Sequence, residues 1–287
     1  MLRVPSVLHR QTETGGHRWA RRKIPPEVRH EKITPVVTVG LKMALRVSAF
    51  LFLYLFVSTS TVAEETVTVR HVLDGDTVIL VGGRHVRLIG INAPELGKDG
   101  KLDQPLARQA RNRLSTLVKG QQVILSYEHE RQDHYGRWLA HARVSDGRSV
   151  EEILLKEGLA WAVAIPPNVD ELGNLLKAEN EARATGRGVW GESAYRSKPV
   201  ESLTAIDTGF RFIEGTIQRR AQGREVIYFD LAPRVALVVP REDWKKYFAG
   251  QPDNWVGRRI IARGWVTESK GRLRLRAPHP AMLTWRD

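Results

Sequence analysis

Short β-branched segments, each cut off by a glycine turn, leave this chain few folds to choose from. Residues 66–72 (TVTVRHV) alternate branched and other side chains, as a strand with one buried face does. Asp74-Gly75 breaks that run, residues 77–81 form a second strand, and Gly82-Gly83 is a hairpin signal. Residues 86–91 make a third strand, and Pro94 ends it. A polar loop over 96–104 then reaches Pro105, which suits the first turn of a helix. Leu106, Ala110, Leu114 and Leu117 fall on one face of that helix, and Gly120 is placed to cap it. Residues 122–127 and 138–144 read as further strands. Ser149 with Glu152 fits a capping box, opening a short helix with Val150, Ile153 and Leu154 inward. A last helix over 169–185 brings Leu172, Leu175, Leu176, Glu179 and Ala182 to adjoining positions before Gly186. Five strands with interspersed helices give a mainly β chain of α+β class, expected to close into an OB-type five-stranded barrel.

After Ser197-Lys198-Pro199 the pattern starts again. Strands are expected at 210–218, 226–231, 235–239, 259–266 and 272–275, with a short helix at 241–248. The expected organisation is a first OB domain over 64–199 and a second small OB-like barrel over 200–287.

Charge separates these parts. The chain of 287 residues has 45 Lys and Arg against 32 Asp and Glu. Residues 64–199 hold 19 side chains of each sign, whereas residues 200–287 hold 16 basic and 10 acidic. A basic domain beside a neutral one suits a polyanionic partner, and a merely solvated basic surface is the other reading. The absence of cysteine excludes disulfides and thiolate metal sites. At the N-terminal side, Met43-Ala44-Leu45-Arg46 precedes an apolar run over 47–57, and Thr61-Val62-Ala63 offers small residues before Glu64. This is the pattern of a secretory signal peptide over 43–63, with an uncleaved anchor as the alternative. The run is short for a membrane span, which needs about 20 residues. Residues 1–42 are basic and show no strand or helix period, so translation is expected to begin at Met43.

Three islands carry chemistry: Asp74-Gly75-Asp76-Thr77, the run Arg87 to Glu95 (RLIGINAPE), and Asp133-His134-Tyr135-Gly136-Arg137. Asp76 follows a tight turn and projects from a strand start. Arg87 and Glu95 share a face if their strand stays regular. Gly136 permits a turn that presents Arg137, whose planar fork matches two phosphate oxygens better than a lysine does. Acids for a hard cation, a carboxylate to take a proton from water and guanidinium groups for a phosphate suit metal-assisted cleavage of a phosphodiester.

The islands, in their order and spacing, resemble the staphylococcal nuclease (thermonuclease) family over residues 66–195. That resemblance implies an OB fold, one Ca2+ ion and a substrate of DNA or RNA cut without strict sequence preference to 3′-phosphate ends. It implies Arg87, Glu95 and Arg137 as catalytic residues, with Tyr135 and His134 at the substrate phosphate. It implies Asp76, Asn92 and the Ala93 carbonyl as metal ligands. The sequence departs from the family at four points. Ala93 stands in place of a threonine whose backbone carbonyl is the ligand, so alanine suffices there. His134 stands in place of a lysine. Asn92 stands in place of a second metal-binding aspartate, so the ion is expected to be held weakly. Residues 160–166 (AWAVAIP) lack the tyrosines that stack on the base; Trp161 either replaces them or belongs to the core. In the C-terminal part, Arg272, Arg274 and Arg276 share one strand face, and Trp244, Tyr247 and Trp265 serve either single-strand binding or packing. A non-catalytic nucleic-acid-binding module is the competing function, and an envelope-associated scaffold a third.

Overall fold

The computed structural model describes residues 64–251 and 254–286. The expected signal peptide and the basic extension before it lie outside the described residues. The strand expected at 66–72 is β1 (Glu64–Val72), and it is followed by β2 (Thr77–Leu80) and β3 (His85–Leu88). After a crossover come α1 (Ala107–Val118), β5 (Gln122–Ser126) and β6 (Trp138–Val144), while β4 (Ile91–Asn92) lies outside this sheet. The sheet order is β1-β2-β3-β6-β5, and β5 returns to pair with β1, so the barrel closes. Closure satisfies both edges of a small sheet that would otherwise present unpaired backbone groups. Val69, Leu80, Val86, Leu88, Leu125 and Ala140 fill its interior.

The helices differ in phase from the sequence reading by single residues. Leu106 adopts a left-handed conformation (φ 67°) as N-cap, so α1 starts at Ala107. Its buried face is Ala107, Ala110, Leu114 and Val118, in place of the expected Leu106 and Leu117. Of the expected capping box, the N-cap half is present at α2 (Val150–Lys156), where Ser149 Oγ accepts the Glu152 N–H at 3.2 Å. Glu151, in the first turn of α2, is buried and accepts from the Ala142 N–H at 2.9 Å. Beside it, His141 is buried with Nε2 2.6 Å from Glu128 Oε1. Burial works against a charged imidazole, but the hydrogen bonds it donates to Glu128 and Glu151 outweigh that and raise His141 to about 10.

Beyond α3 (Leu172–Ala184), short strand β8 (Lys198–Pro199) opens a second sheet. It continues with β9 (Gly209–Thr216), β10 (Arg219–Gln222), β11 (Val226–Ala232), β12 (Val235–Pro240), α4 (Arg241–Tyr247), β13 (Arg259–Ser269), β14 (Arg272–Arg276) and β15 (Leu283–Arg286). The hydrogen-bonded order is β10-β11-β12-β14-β13-β9-β8, with β15 also on β13. Just past β9, the Gln218 N–H donates to the Asp230 carbonyl at 2.8 Å, bringing the end of β9 against β11. Phe229, Leu237, Ile260 and Leu275 form the core, with Trp255 stacked on Phe229 at 4.4 Å. β10 is absent from the sequence reading, because RRAQ has no apolar alternation.

Packing crosses the border near residue 199. The second core takes in Val163, Ala164 and Leu172 from the first part of the chain. Trp161 is 2% exposed and lies 5.2 Å from Phe210, so it is a core residue and not a free stacking platform. β7 (Trp161–Ala162) pairs with β4, and the Ala162 N–H donates to Glu179 Oε1 at 2.7 Å. Arg263 from β13 donates Nη1 to both oxygens of Glu179 at 2.7 Å. Glu179 is 1% and Arg263 8% exposed, which puts the pair among buried ion pairs rather than surface ones. Removing one member of such a pair leaves the other charge unpaired in the interior and costs about 3–5 kcal/mol. Arg263→Ala is therefore expected to lower unfolding free energy by about 3–5 kcal/mol in urea titrations. The double change Arg263→Met with Glu179→Leu should recover most of that loss. A single variant as stable as the parent would show that the pair does not hold the two parts together.

Candidate active site

The turn over 74–76 delivers an acid to a place where three segments meet. Asp74 Oδ1 accepts the Asp76 N–H at 3.1 Å, which fixes the turn. Asp76 itself is 2% exposed. Its Oδ1 accepts from Thr77 Oγ1 at 2.9 Å and from Arg87 Nη1 at 2.5 Å, and its Oδ2 accepts the Ala93 N–H at 3.0 Å. Arg87 reaches onward with Nη2 to Asn92 Oδ1 at 3.2 Å and to the Ile91 carbonyl at 3.4 Å. Asp76, Arg87, Asn92 and Ala93, all candidates from the sequence, thus form one hydrogen-bonded group.

The route by which the chain assembles this group differs from the sequence expectation. The single strand expected over 86–91 is broken. β3 ends at Leu88, Gly90 takes φ 75°, and Ile91–Asn92 leaves the barrel to pair with β7. A Cβ on Gly90 would stand 2.3 Å from Leu175 Cδ1, so glycine also permits the close approach of α3. Strand parity therefore does not relate Arg87 to Glu95. Glu95 is held instead by Gln104, whose Oε1 accepts the Glu95 N–H at 2.9 Å and whose N–H donates to the Glu95 carbonyl at 3.0 Å. Glu95 keeps exposed surface, and partial desolvation, followed by the charge of Asp76, pushes its carboxyl above the usual carboxylate range. The opposing charges of Arg87, Lys98 and Arg137 act on the same carboxyl, which places it in one electrostatic neighbourhood with both arginines.

Arg137 arrives from the turn before β6. Asp133 organises that turn: its Oδ1 accepts the N–H groups of Tyr135 at 2.9 Å and Arg137 at 3.0 Å. Its Oδ2 accepts Arg137 Nε at 2.8 Å and lies 2.7 Å from Nη2. Burial raises the Asp133 carboxyl, but the bonds from Arg137 and the backbone outweigh it and hold the group below its usual range. Tyr135 is exposed, with its ring 5.5 Å from the Arg137 guanidinium and 3.8 Å from the His134 ring. β3 and β6 run parallel with Arg87 opposite Leu139, so Arg137 sits at the same end of the barrel as Asp76 and Arg87. The sequence reading gives Asp133 no role; an acid four residues before an arginine across a Gly turn is the signal that points to one. Asp74 is a second residue that the sequence reading leaves without a role. Burial, then the charges of Asp76 and Glu95, raise its carboxyl to about 7.

The donor set decides what this site can hold. Asp76 and Asn92 offer oxygen atoms that converge on one guanidinium, and Ala93 adds a backbone carbonyl. Oxygen-only donors with low charge suit a hard divalent cation and exclude a soft one. Among the described residues no group of three or more His, Asp or Glu side chains is arranged for a metal.

The family model described as Staphylococcal nuclease homologue matches residues 85–192, a stretch that holds Arg87, Asn92, Glu95 and Arg137. Over 164 residues the chain is 34% identical to a thermonuclease of Staphylococcus intermedius, covering 54% of this chain and 97% of that protein. It is 36% identical over 134 residues to Endonuclease YncB of Bacillus subtilis (strain 168), covering 45% of this chain and 63% of the relative. It is 34% identical over 128 residues to an uncharacterized endonuclease of Escherichia coli O157:H7, covering 44% of this chain and 76% of the relative.

Gly75 tests whether the turn must sit where it does. A Cβ there would stand 2.5 Å from the Ala93 Cβ and 2.7 Å from the Ala110 Cβ, and neither methyl can swing away. Gly75→Ala is expected to push the turn off Ala93 and α1 and to cost about 1–3 kcal/mol by overpacking. Thermal unfolding at matched concentration checks this. A variant with unchanged stability would mean that the turn has room to move.

Proposed function

The chain belongs to the staphylococcal nuclease homologue family, and from that premise we propose that it is an exported, Ca2+-dependent nuclease that hydrolyses DNA and RNA phosphodiesters and leaves 3′-phosphate ends. The observation that supports this best is the gathering of Arg87, Glu95 and Arg137 near the buried Asp76, with Arg87 held by Asp76, Arg137 by Asp133 and the Glu95 backbone by Gln104.

Glu95 takes the proton from a water molecule that attacks phosphorus, and the P–O5′ bond breaks to release a 5′-hydroxyl. Its raised proton affinity brings it closer to the working range of a general base. Arg137 uses Nε and Nη2 on Asp133, which leaves its Nη1 edge for a phosphate oxygen. Arg87 provides the second cationic group. Donors fixed in advance are strongest where negative charge grows in the transition state. Asp76, Asn92 and the Ala93 carbonyl would hold the Ca2+, which supplies Lewis-acid polarisation of a phosphate oxygen. Tyr135 and His134, exposed beside Arg137, border the path of the substrate strand. Among the described residues no helix is long and apolar enough to cross a membrane. Export rests on the pattern over 43–63, and mass spectrometry of the native protein should find Glu64 as first residue; an intact chain carrying residues 1–42 would refute it.

Glu95→Gln, Arg87→Lys and Arg137→Lys are each expected to lower the rate of DNA and RNA degradation by about 10²-fold or more, with folding retained. Parental rates in Glu95→Gln protein free of contaminating nuclease would sink the mechanism. Asn92→Asp adds a second carboxylate to the oxygen set and is expected to lower the Ca2+ concentration for half-maximal activity, since ligand charge tunes such sites. Calcium titrations that coincide for both forms, or activity that persists in excess chelator, would remove Asn92 from the ligand set.

A further inference from the structure

A cavity of about 230 Å3 opens at the seam between the two parts of the chain, away from Asp76. Four arginines line it: Arg183 from α3, Arg196 from the stretch before β8, and Arg263 and Arg286 from the second sheet. Trp190 and Tyr195 contribute aromatic wall. Glu192 is the one carboxylate in the lining. Arg263 is neutralised by Glu179 behind the wall. For Arg183, Arg196 and Arg286 no carboxylate lies within ion-pair distance among the described residues. The Trp190 indole N–H is buried without an acceptor, and the Arg183 guanidinium lies 5.2 Å from that ring.

Cationic forks in excess over carboxylates are complementary to an anion with several oxygen atoms. The cavity is smaller than the roughly 300–1,000 Å3 of sites that enclose a whole drug-sized ligand, so it fits a phosphate with part of its sugar. Its position ties it to the reaction centre. Tyr195 donates its hydroxyl to the Pro105 carbonyl at 2.6 Å, next to Gln104, which holds Glu95. The Tyr195 ring also lies 4.7 Å from Trp161, the strand partner of Asn92.

We propose that this seam cavity is an accessory subsite that binds a backbone phosphate of the substrate strand, outside the linkage being cut. This rests on the nuclease reading of the chain and extends it to a preference for long strands over short ones. The arginines of both parts of the chain are needed, so neither part alone makes the subsite.

The test uses the full chain with Arg183→Gln, Arg196→Gln and Arg286→Gln combined, leaving Arg263 to hold Glu179. For a long oligothymidylate, KM should rise about 10-fold or more, the scale of charge-assisted hydrogen bonds removed from one phosphate. The logarithmic salt dependence of KM should become shallower by about 0.7 for each phosphate that the variant no longer neutralises. The kcat for the long strand and the KM for a thymidine dinucleotide should stay as in the parent. Equal KM values for the long strand in parent and variant would overturn the proposal. An equal rise for the dinucleotide would also overturn it, because a general field and not a remote subsite would then be responsible. So would a fall in kcat alone, which would make the cavity a support for Gln104 and Glu95. Calorimetry with thymidine monophosphate separates the sources of phosphate: binding heat that disappears in the variant while the long-strand KM is unchanged would assign the cavity to free nucleotides and overturn a strand subsite. If the parent cleaves nothing, the nuclease reading fails by itself. Fluorescence anisotropy of labelled oligothymidylate then decides the subsite, with a 10-fold weaker variant supporting it and equal affinity overturning it.

Discussion

The carboxylate of Glu179 is the joint on which the geometry of this molecule hangs. A buried charge must find its full set of partners inside the protein, because none are available from water. Glu179 finds them in two places at once: the Ala162 N–H of β7 and the Arg263 guanidinium of β13. β7 is the pairing partner of β4, and β4 ends in Asn92 and leads into Ala93, Pro94 and Glu95. The second sheet therefore fixes, through one ion pair and one backbone hydrogen bond, the strand that carries the candidate ligand Asn92 and leads to Glu95. Apolar packing alone would permit the sheet to slide on α3. An ion pair that engages both carboxylate oxygens does not, since any slide leaves an ion unsatisfied.

A similar economy of partners governs the site. Asp76 Oδ1 is taken by Arg87 and Thr77, whereas Oδ2 accepts only the Ala93 N–H and keeps a lone pair free for a cation. The Asp76 and Asn92 oxygens facing Arg87 are balanced by one positive group, and a guanidinium and a hard cation are alternative ways to supply it. That makes Arg87 and the ion electrostatically linked, in contrast to Arg137, which has its own counter-charge in Asp133. The two arginines thus stand in unlike environments, one 12% and one 29% exposed.

Local features of this architecture were legible in the sequence. The alternation before Asp74, the Gly82-Gly83 turn and the Ser149 cap depend on neighbours within a few residues, and the structure has a strand, a hairpin and a helix start at those points. The alternation of Arg272, Arg274 and Arg276 to the exposed face of β14 was legible for the same reason. The break at Gly90 was not. In sequence RLIGIN reads as one apolar strand, and only the arrival of Leu175 from α3 and of β7 from about 70 residues on explains why it leaves the barrel. Glu95 reaches the site by Gln104 and not by strand parity, so the expected grouping of Arg87 with Glu95 has a different geometric cause from the one the sequence suggests. Glu179 reads in sequence as one more residue on a helical face, because its partner stands 84 positions away.

Composition likewise hid where the charge is. Residues 64–199 carry equal numbers of each sign, yet equal numbers do not make a neutral surface. Arg84, Arg113 and Arg148 are matched by Glu65, Glu157 and Asp146 in direct ion pairs. Arg183 and Arg196 lie instead at the seam, where Arg263 and Arg286 join them from the more basic second part. Ion pairing therefore cancels part of the charge of the first barrel, while Arg183, Arg196 and Arg286 meet at the seam with no carboxylate in ion-pair distance among the described residues. Folding thus gathers there cations that lie far apart along the chain, in a place that no count along either part would single out.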